Sequence, residues 1–481
     1  MKWTSLRRFL DFLREKNELV TIREPVDPQL EIAEIADRVM KSEGPALLFT
    51  HVKGSLFPLA INVYGSRRRM SWALGVEDLE EIPQRLQELL TTQPPAGFWD
   101  KLKMLPKLAQ VARAAPKTAS HAPCQEIVWS EVDLNQIPIL KCWPEDGGRF
   151  ITLPMVITQD PDSGRRNVGL YRMQVLDKNT TAMHWQIHKV GARHFRRYRE
   201  LGQKMPVAVA LGGEPVLTYA ATAPLPDQVD EFLFAGYLQK SPIEMVDCLS
   251  CELQVPASAD FVLEGYIDPE EDFVDEGPFG DHTGYYTPVE KFPKFHVTQI
   301  TQRRDPVYLT TIVGIPPMED KFLGLATERL FLPMIRLTFP EIVDMHLPPE
   351  TCFHNLCILS IKKSYPGHAQ KIMHSLWGMG QMTFCKCFIV VDHDVDVHNV
   401  AEVAWRVSNN IDAKRDITFV EGPVDHLDHA APRQFIGSKM GIDATRKWKE
   451  EGYDRQWPRD IVMDPAVKQK IDALWPKLGL R

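Results

Sequence analysis

The sequence predicts a mixed α/β and β chain in three units: an N-terminal α/β domain with a connector (1–123), a strand-rich middle (124–315) and a C-terminal α/β domain ending in a helix (316–481). Three observations carry this. The 481 residues amount to about three ordinary domain lengths. Helix and strand signals alternate at both ends of the chain, whereas strands dominate between them. A βαβαβ order is legible near the C-terminus.

In the first unit, Leu6, Phe9, Leu10 and Leu13 recur at helical spacing, and residues 29–42 (QLEIAEIADRVMKS) repeat the pattern. PALLFTHV and PLAINVYG read as short strands, and a helix is expected over Arg67–Leu74. Pro83, Pro94, Pro95, Pro106, Pro116 and Pro123 then punctuate a basic helical stretch, which reads as a connector.

The middle unit holds PMVITQD, VGLYRMQVLD, TAMHWQI, PVAVALGG, FVLEGYI, FHVTQITQ and PVYLTTIVG, all bounded by turn residues. So many strands, interrupted by one helix near Asp227–Leu238, suggest a barrel or sandwich. The third unit runs CILSIKK (strand), HAQKIMHSLWGM (helix), KCFIVVDHD (strand), NVAEVAWRVSNN (helix) and DITFVEG (strand). A charged strap then leads to a terminal helix, PAVKQKIDALWPKLG, of the kind that docks on another domain or a partner subunit.

Composition excludes several classes. With 56 Lys+Arg against 64 Asp+Glu, the net charge is −8, which argues against a nucleic-acid binder or a polybasic membrane surface. No apolar run approaches the ~18 residues of a spanning helix, and charge interrupts the first twenty residues, so a cytoplasmic protein is expected. The eight cysteines are scattered; Cys248 and Cys251 form a lone CxxC, read as structural rather than as a zinc or redox site. Asp392, Asp394 and Asp396 open like a calcium loop, but Val397 takes the glycine position. Dinucleotide, phosphate-loop, nucleophile-elbow and zincin fingerprints are absent from the sequence.

Three clusters are chemically dense. Glu276 and Asp281 flank a Gly-Pro-Phe-Gly turn followed by His282, Tyr285 and Tyr286. Two carboxylates on one rigid turn suit general acid–base work, and equally an acidic surface turn. In strand register Asn167, Gly169 and Tyr171 share one face, and Arg172 falls on the other, mainly apolar one, where a guanidinium requires an anionic partner. His184 and His188 share a face if the strand pattern around Trp185 continues; they read as structural histidines or as metal ligands beside a phosphate. Glu231 sits on a short, otherwise apolar helix, where a solvated carboxylate is the simpler reading.

Together NVGLYRMQ, HWQIHK, PDQVDEF, VPASADFVLEGYI, EGPFGDHTGYY and GSKMGIDAT resemble the UbiD family of decarboxylases, and FPEIVDMHLPPE and IKKSYPGHAQKIM extend the likeness over essentially the whole chain. The resemblance is nearest to the branch acting on 4-hydroxy-3-polyprenylbenzoate in ubiquinone biosynthesis. It implies a central split β-barrel related to flavin reductases, and a C-terminal α/β domain used for oligomerisation. It further implies prenylated FMN (prFMN), supplied by a separate flavin prenyltransferase, and reversible non-oxidative decarboxylation, here giving a 2-polyprenylphenol.

By position, the resemblance makes Asn167, His188 and Glu231 ligands of a divalent ion, usually Mn2+, with K+ nearby. Leu170, Tyr171 and Arg172 lie along the flavin, and His184, Trp185 and Gln186 form a second contact segment. His184 and Lys189 stand where relatives carry Arg, and Lys439 matches a cofactor-binding lysine. The catalytic set is Arg172, Glu276 and Asp281: Arg172 pairs with the substrate carboxylate or with Glu276, Asp281 delivers the proton, and Glu276 tunes the network. The resemblance also implies a homodimer formed by C-terminal helix exchange or a homohexamer, and, for a polyprenyl substrate, transient contact with the inner membrane. Two other activities stay open: prFMN-dependent decarboxylation of another aromatic or unsaturated acid, and an FMN-dependent reductase. A non-catalytic lipid-binding or assembly subunit is disfavoured by the acid–base set.

Overall fold

The structure is a computed structural model that describes residues 1–90 and 112–480. Most of the predicted basic stretch of the connector lies outside the described residues.

The N-terminal helix Leu6–Glu15 buries Leu6, Phe9, Leu10 and Leu13, the stripe its spacing predicts, and Ser5 caps it by accepting from the Arg8 N–H. Helices Glu31–Lys41 and Arg67–Ala73 fall where the sequence places them. The strands Leu19–Ile22, Ala46–Phe49 and Leu59–Ile61 form a sheet whose fourth member is unexpected. PVYLTTIVG does not join the central sheet. Its short strand Tyr308–Leu309 pairs in parallel with Leu59–Ile61, through Tyr308 N–H to the Pro58 carbonyl and Thr310 N–H to the Ala60 carbonyl. An apolar run declares a strand but not which sheet edge it will cover.

The central sheet is nine-stranded and antiparallel. Its main path runs Phe150–Ile151, Met173–Val175, Thr180–Met183, Lys294–Gln302, Phe261–Ile267, Met205–Leu211, Met155–Gln159 and Arg166–Leu170, with Ile127–Val128 beside Lys294–Gln302. Arg166–Leu170 and Met173–Val175 are consecutive in the chain yet stand near opposite ends of this order. Only Tyr171 and Arg172 join them, and three Cα steps of about 3.8 Å cannot bridge a flat sheet of that width. The sheet therefore curls into a half-barrel, and its seam falls at Tyr171–Arg172. VGLYRMQVLD is thus two strands rather than one.

The middle unit also holds more helix than expected. Besides Glu231–Gln239 there are Val190–Leu201 and Pro215–Thr222. The first buries Gly191, Ala192, His194, Phe195 and Tyr198 at helical spacing; the second is buried nearly all round, so it has no periodic signature. TAMHWQI is a strand only to Met183, so the extended register expected for His184 and His188 does not hold.

A 19-residue helix, Asp320–Thr338, leads into a five-stranded sheet ordered Ile342–His346, Leu356–Ile361, Cys387–Asp392, Ile436–Asp443 and Ile417–Pro423. Cys357, Leu359 and Ile361 pack with helix His368–Trp377 on one face, while Ile358 and Val391 pack with Val403 of helix Val400–Asn410 on the other. Period-two alternation thus splits two apolar faces between two helices. Helix Pro465–Leu474 lies with every residue exposed.

Candidate active site

Arg172 stands at the seam with its guanidinium almost buried. Its Nε donates to Glu276 Oε1 at 2.7 Å and its Nη2 to Glu276 Oε2 at 3.1 Å, a bidentate pair. Nη1 donates to Asp281 Oδ2, Nη2 also reaches Thr287 Oγ1 at 3.2 Å, and the guanidinium lies 4.5 Å from the Phe279 ring centroid. The cation that looked misplaced on an apolar strand is thus met by two carboxylates.

Those carboxylates sit on two small hairpins, Val274–Glu276 with Glu290–Phe292 and Phe279–Gly280 with Tyr286–Thr287. The turn between them is fixed by its glycines. Gly277 adopts φ +98°, and a Cβ on Gly280 would lie 2.2 Å from the Trp143 ring. Gln174 Oε1 accepts from Gly277 N–H at 2.7 Å and Asp146 Oδ1 from Gly280 N–H at 2.8 Å, pinning the turn to the barrel.

Electrostatics keeps both acids ionised. Burial would raise the Glu276 pKa, but hydrogen bonds from His184 and Arg172 and the Arg172 charge bring it down to about 2. Asp281, equally penalised by burial, is drawn well below the ordinary carboxylate range by His282 and Arg172. Burial opposes the Arg172 charge, yet the two carboxylates hold its pKa above the ordinary value. His184 Nδ1 lies 3.2 Å from Glu276 Oε2; burial and Arg172 push its pKa down, so the neutral ring donates there.

A second group lies along the strand before the seam. A Cβ on Gly169 would meet the Tyr171 ring at 2.4 Å, and one on Gly191 would meet Trp185 Nε1 at 2.7 Å. Both rings therefore pack on bare backbone and meet edge-on, 6.3 Å apart. Asn167 is buried on this strand, and Glu231, at the first position of its helix, accepts from Val168 N–H at 3.2 Å. Burial pushes the Glu231 carboxyl up to about 7. His188 is on the turn before helix Val190–Leu201 with its ring 4.7 Å from that of Phe384. Among the described residues no hydrogen bond or ion pair joins it to Asn167 or Glu231. Leu170 and Gln186 are half-buried beside these groups in sequence, and Lys439, on strand Ile436–Asp443, donates to the carbonyl of Thr383, the neighbour of Phe384.

The residues fit a bound anionic cofactor with a dication. Asn167 Nδ2, His184 Nε2 and Trp185 Nε1 are buried without a hydrogen-bond partner. Lys189 is half-buried with no ion pair among the described residues, and burial lowers its pKa. A phosphate would satisfy the Asn167 and Trp185 donors and this cation, and a dication would compensate Glu231.

Two other clusters have metal-like donor sets, Cys248/Cys251/Glu264 and Glu328/His346/His398. In the first, Glu264 accepts from Leu249 N–H, Ser250 N–H and Ser250 Oγ, so it caps the CxxC turn. In the second, Arg329 already occupies the carboxylates. Sequence reasoning did not single out His354, whose Nε2 lies 3.0 Å from His282 Nε2; no motif surrounds it.

Comparison with known proteins agrees over nearly the whole chain. Sequence models described as the N-terminal, Rift-related and C-terminal domains of 3-octaprenyl-4-hydroxybenzoate carboxy-lyase match residues 10–89, 116–316 and 321–444. An uncharacterized protein of Aquifex aeolicus (strain VF5) is 52% identical, covering 100% of this chain and 99% of the relative. The vanillic acid decarboxylase of Sedimentibacter hydroxybenzoicus in its closed form superposes with TM-score 0.86 at 26% identity, covering 100% of both chains. The UbiD-class enzyme HmfF of Pelotomaculum thermopropionicum, in complex with FMN, gives TM-score 0.79 at 29% identity over 97% of this chain and 98% of that one. An evolved dimeric form of HmfF holds prFMN and gives 0.78 at 28% identity with the same coverage. With a seam arginine clasped by two carboxylates and family matches along almost its full length, the chain belongs to the UbiD family of carboxy-lyases.

Proposed function

We propose that this chain is a prFMN-dependent decarboxylase of aromatic acids. One observation carries the reading: Arg172 is held bidentately by Glu276 and on its other arm by Asp281, beside buried donors with no protein partner. Prenylated FMN, when bound, supplies an electron sink for the charge left by departing CO2. Asn167, His188 and Glu231 hold a divalent ion, with Mn2+ the first candidate and K+ nearby. Leu170, Tyr171, His184, Trp185, Gln186, Lys189 and Lys439 line and anchor the cofactor. Arg172 orients the substrate carboxylate, Glu276 fixes Arg172, and Asp281 presents a proton at the carbon that loses CO2.

The substrate we favour is 4-hydroxy-3-polyprenylbenzoate, giving 2-polyprenylphenol in ubiquinone biosynthesis, and the octaprenyl description of the matched domains supports it. A tail-free phenolic acid is the second reading, favoured by the similarity to a vanillic acid decarboxylase. The division at 1–123, 124–315 and 316–481 gives the barrel the cofactor and the C-terminal domain the subunit contact. Val467, Ile471, Leu474 and Leu478 form an exposed apolar stripe on and just beyond the terminal helix, suited to exchange with a second copy in a homodimer or hexamer. No helix among the described residues is long and apolar enough to cross a membrane. The greasy tail of a polyprenyl substrate is what would bring the enzyme to a membrane transiently.

The test is co-expression with a flavin prenyltransferase, followed by the absorption spectrum and intact mass of the bound cofactor. CO2 release is then measured from prenylated and tail-free hydroxybenzoates. Turnover of prenylated acids is expected. Turnover of tail-free acids alone removes the quinone assignment, and ordinary FMN with no CO2 release removes the decarboxylase reading.

A further inference from the structure

An acid that must protonate carbon needs a proton to give, and Asp281 has none at neutral pH: Arg172 and His282 both favour its ionised form. The supply therefore has to lie within hydrogen-bond reach. Asp281 Oδ2 is taken by Arg172, whereas Oδ1 accepts from the His282 N–H and faces His282 Nδ1 at 2.8 Å. On the far side of that ring, His282 Nε2 lies 3.0 Å from His354 Nε2, and His354 Nδ1 is buried with no partner.

Two facing ring nitrogens at this distance share one proton, so one ring donates and the other accepts. The surroundings decide which. Burial disfavours the His282 charge, but Asp281 on its own hairpin, Asp320 at the start of the long helix and Asp425 on the loop after strand Ile417–Pro423 overcome this and raise its pKa. His354 is lowered to about 4 by burial, with Asp425, Asp281 and Asp428 opposing the shift and His282 adding to it. The shared proton is thus favoured on His282, with His354 as its acceptor.

We propose that His282 stores the proton that Asp281 delivers, and that His354 positions and tunes this store by accepting from its other ring nitrogen. The inference rests on the decarboxylase reading above. In each turnover the His282 Nδ1 proton passes to Asp281 Oδ1 and from there to the carbon that lost CO2. His282 is left neutral, Asp281 returns to carboxylate, and one proton from solvent recharges His282. CO2 out and one proton in balances the step.

The experiment pairs activity with a readout that needs no substrate. In prFMN-loaded wild-type enzyme, 15N NMR of the imidazole rings should show His282 doubly protonated and His354 neutral at pH 7. The rate of CO2 release should fall on a basic limb as His282 loses its proton. His282→Asn retains a donor toward Asp281 but cannot store a proton; the basic limb should vanish and kcat fall on the order of 100-fold. His354→Leu should move the limb to lower pH and His354→Gln, which restores an acceptor, should move it back. A neutral His282 at pH 7, or an unchanged limb with a rate within about 3-fold in His282→Asn, overturns the proposal. Wild-type enzyme that shows the His282 cation yet releases no CO2 from any aromatic acid instead sinks the decarboxylase reading, and with it the proton-delivery role.

Discussion

Two buried clusters in this molecule are built from the same parts. At the barrel seam Arg172 meets Glu276 and Asp281, with His184 and His282 alongside. Behind the C-terminal sheet Arg329 meets Glu328 and Asp344, with His346 and His398 alongside. The second cluster is closed by backbone: Leu347 N–H donates to Glu328, Met345 N–H to Asp344, and Arg329 Nη2 to the Met345 carbonyl. It ties the long helix to strand Ile342–His346 and, among its polar atoms, leaves none buried without a partner. In the first, Glu276 accepts only from side chains, and the flanking His184 Nε2 and His354 Nδ1 lack partners. Residue content therefore does not separate a reactive centre from a staple. What separates them is whether the chain has already used up the hydrogen-bonding capacity around the charges.

The largest test of that contrast is Glu276→Gln in the holoenzyme. CO2 release should drop on the order of 1,000-fold with fold and cofactor content retained; unchanged turnover would place the reactive centre elsewhere. The mirror experiment is Arg329→Met, which strands Glu328 and Asp344 in the interior. It should lower unfolding stability by about 3–5 kcal/mol in denaturant titration and leave turnover per folded molecule unaltered.

Glu231 offers a third comparison because its shift has the opposite sign. Its folded pKa of about 7 stands above the ordinary 4.5, so its charge costs apo-protein stability as pH rises through that window. Glu231→Gln should raise the melting temperature of the apoprotein at pH 7 while weakening retention of metal and flavin by about 10–100-fold. Acid unfolding gives the smallest contrast. Glu276 is lowered to about 2, so its contribution is complete above the ordinary carboxylate value and is lost as pH falls from about 4.5 toward 2. Asp344, lowered against burial by His398 and Arg329, fails in the same direction. Acid melts should therefore report both clusters together, and only the pH profile of turnover will tell them apart.

Much of this was legible in the residues. The stripe of Leu6, Phe9, Leu10 and Leu13 and the alternating βαβαβ runs are local patterns, and local patterns survive into the fold. Arg172 announced itself as a charge on an apolar face, and motif likeness offered Glu276 or a substrate carboxylate as its partner; the contact with Asp281 was not foreseen. What stayed hidden depends on pairing across distance. Nothing in VGLYRMQVLD marks a break after Leu170, because alternation continues through it. Tyr308 and Leu309 are as apolar as any barrel strand, and their place was decided by an open edge some 250 residues earlier. Arg329 has no local pattern around it, since Asp344 reaches it, and His346 and His398 reach its carboxylate partners, only once the sheet is assembled. His354 was silent for the same reason.

The two-residue link at the seam has a consequence of its own. Its contour length is fixed by peptide geometry, so it caps how far the two rims of the curled sheet can stand apart. The girth of the barrel is thus gauged at the residue whose guanidinium must line up with two hairpins on the other side. One glycine inserted between Leu170 and Tyr171 would keep every ionisable group in the chain and loosen that gauge, separating the dimensions of the barrel from the identity of its charges.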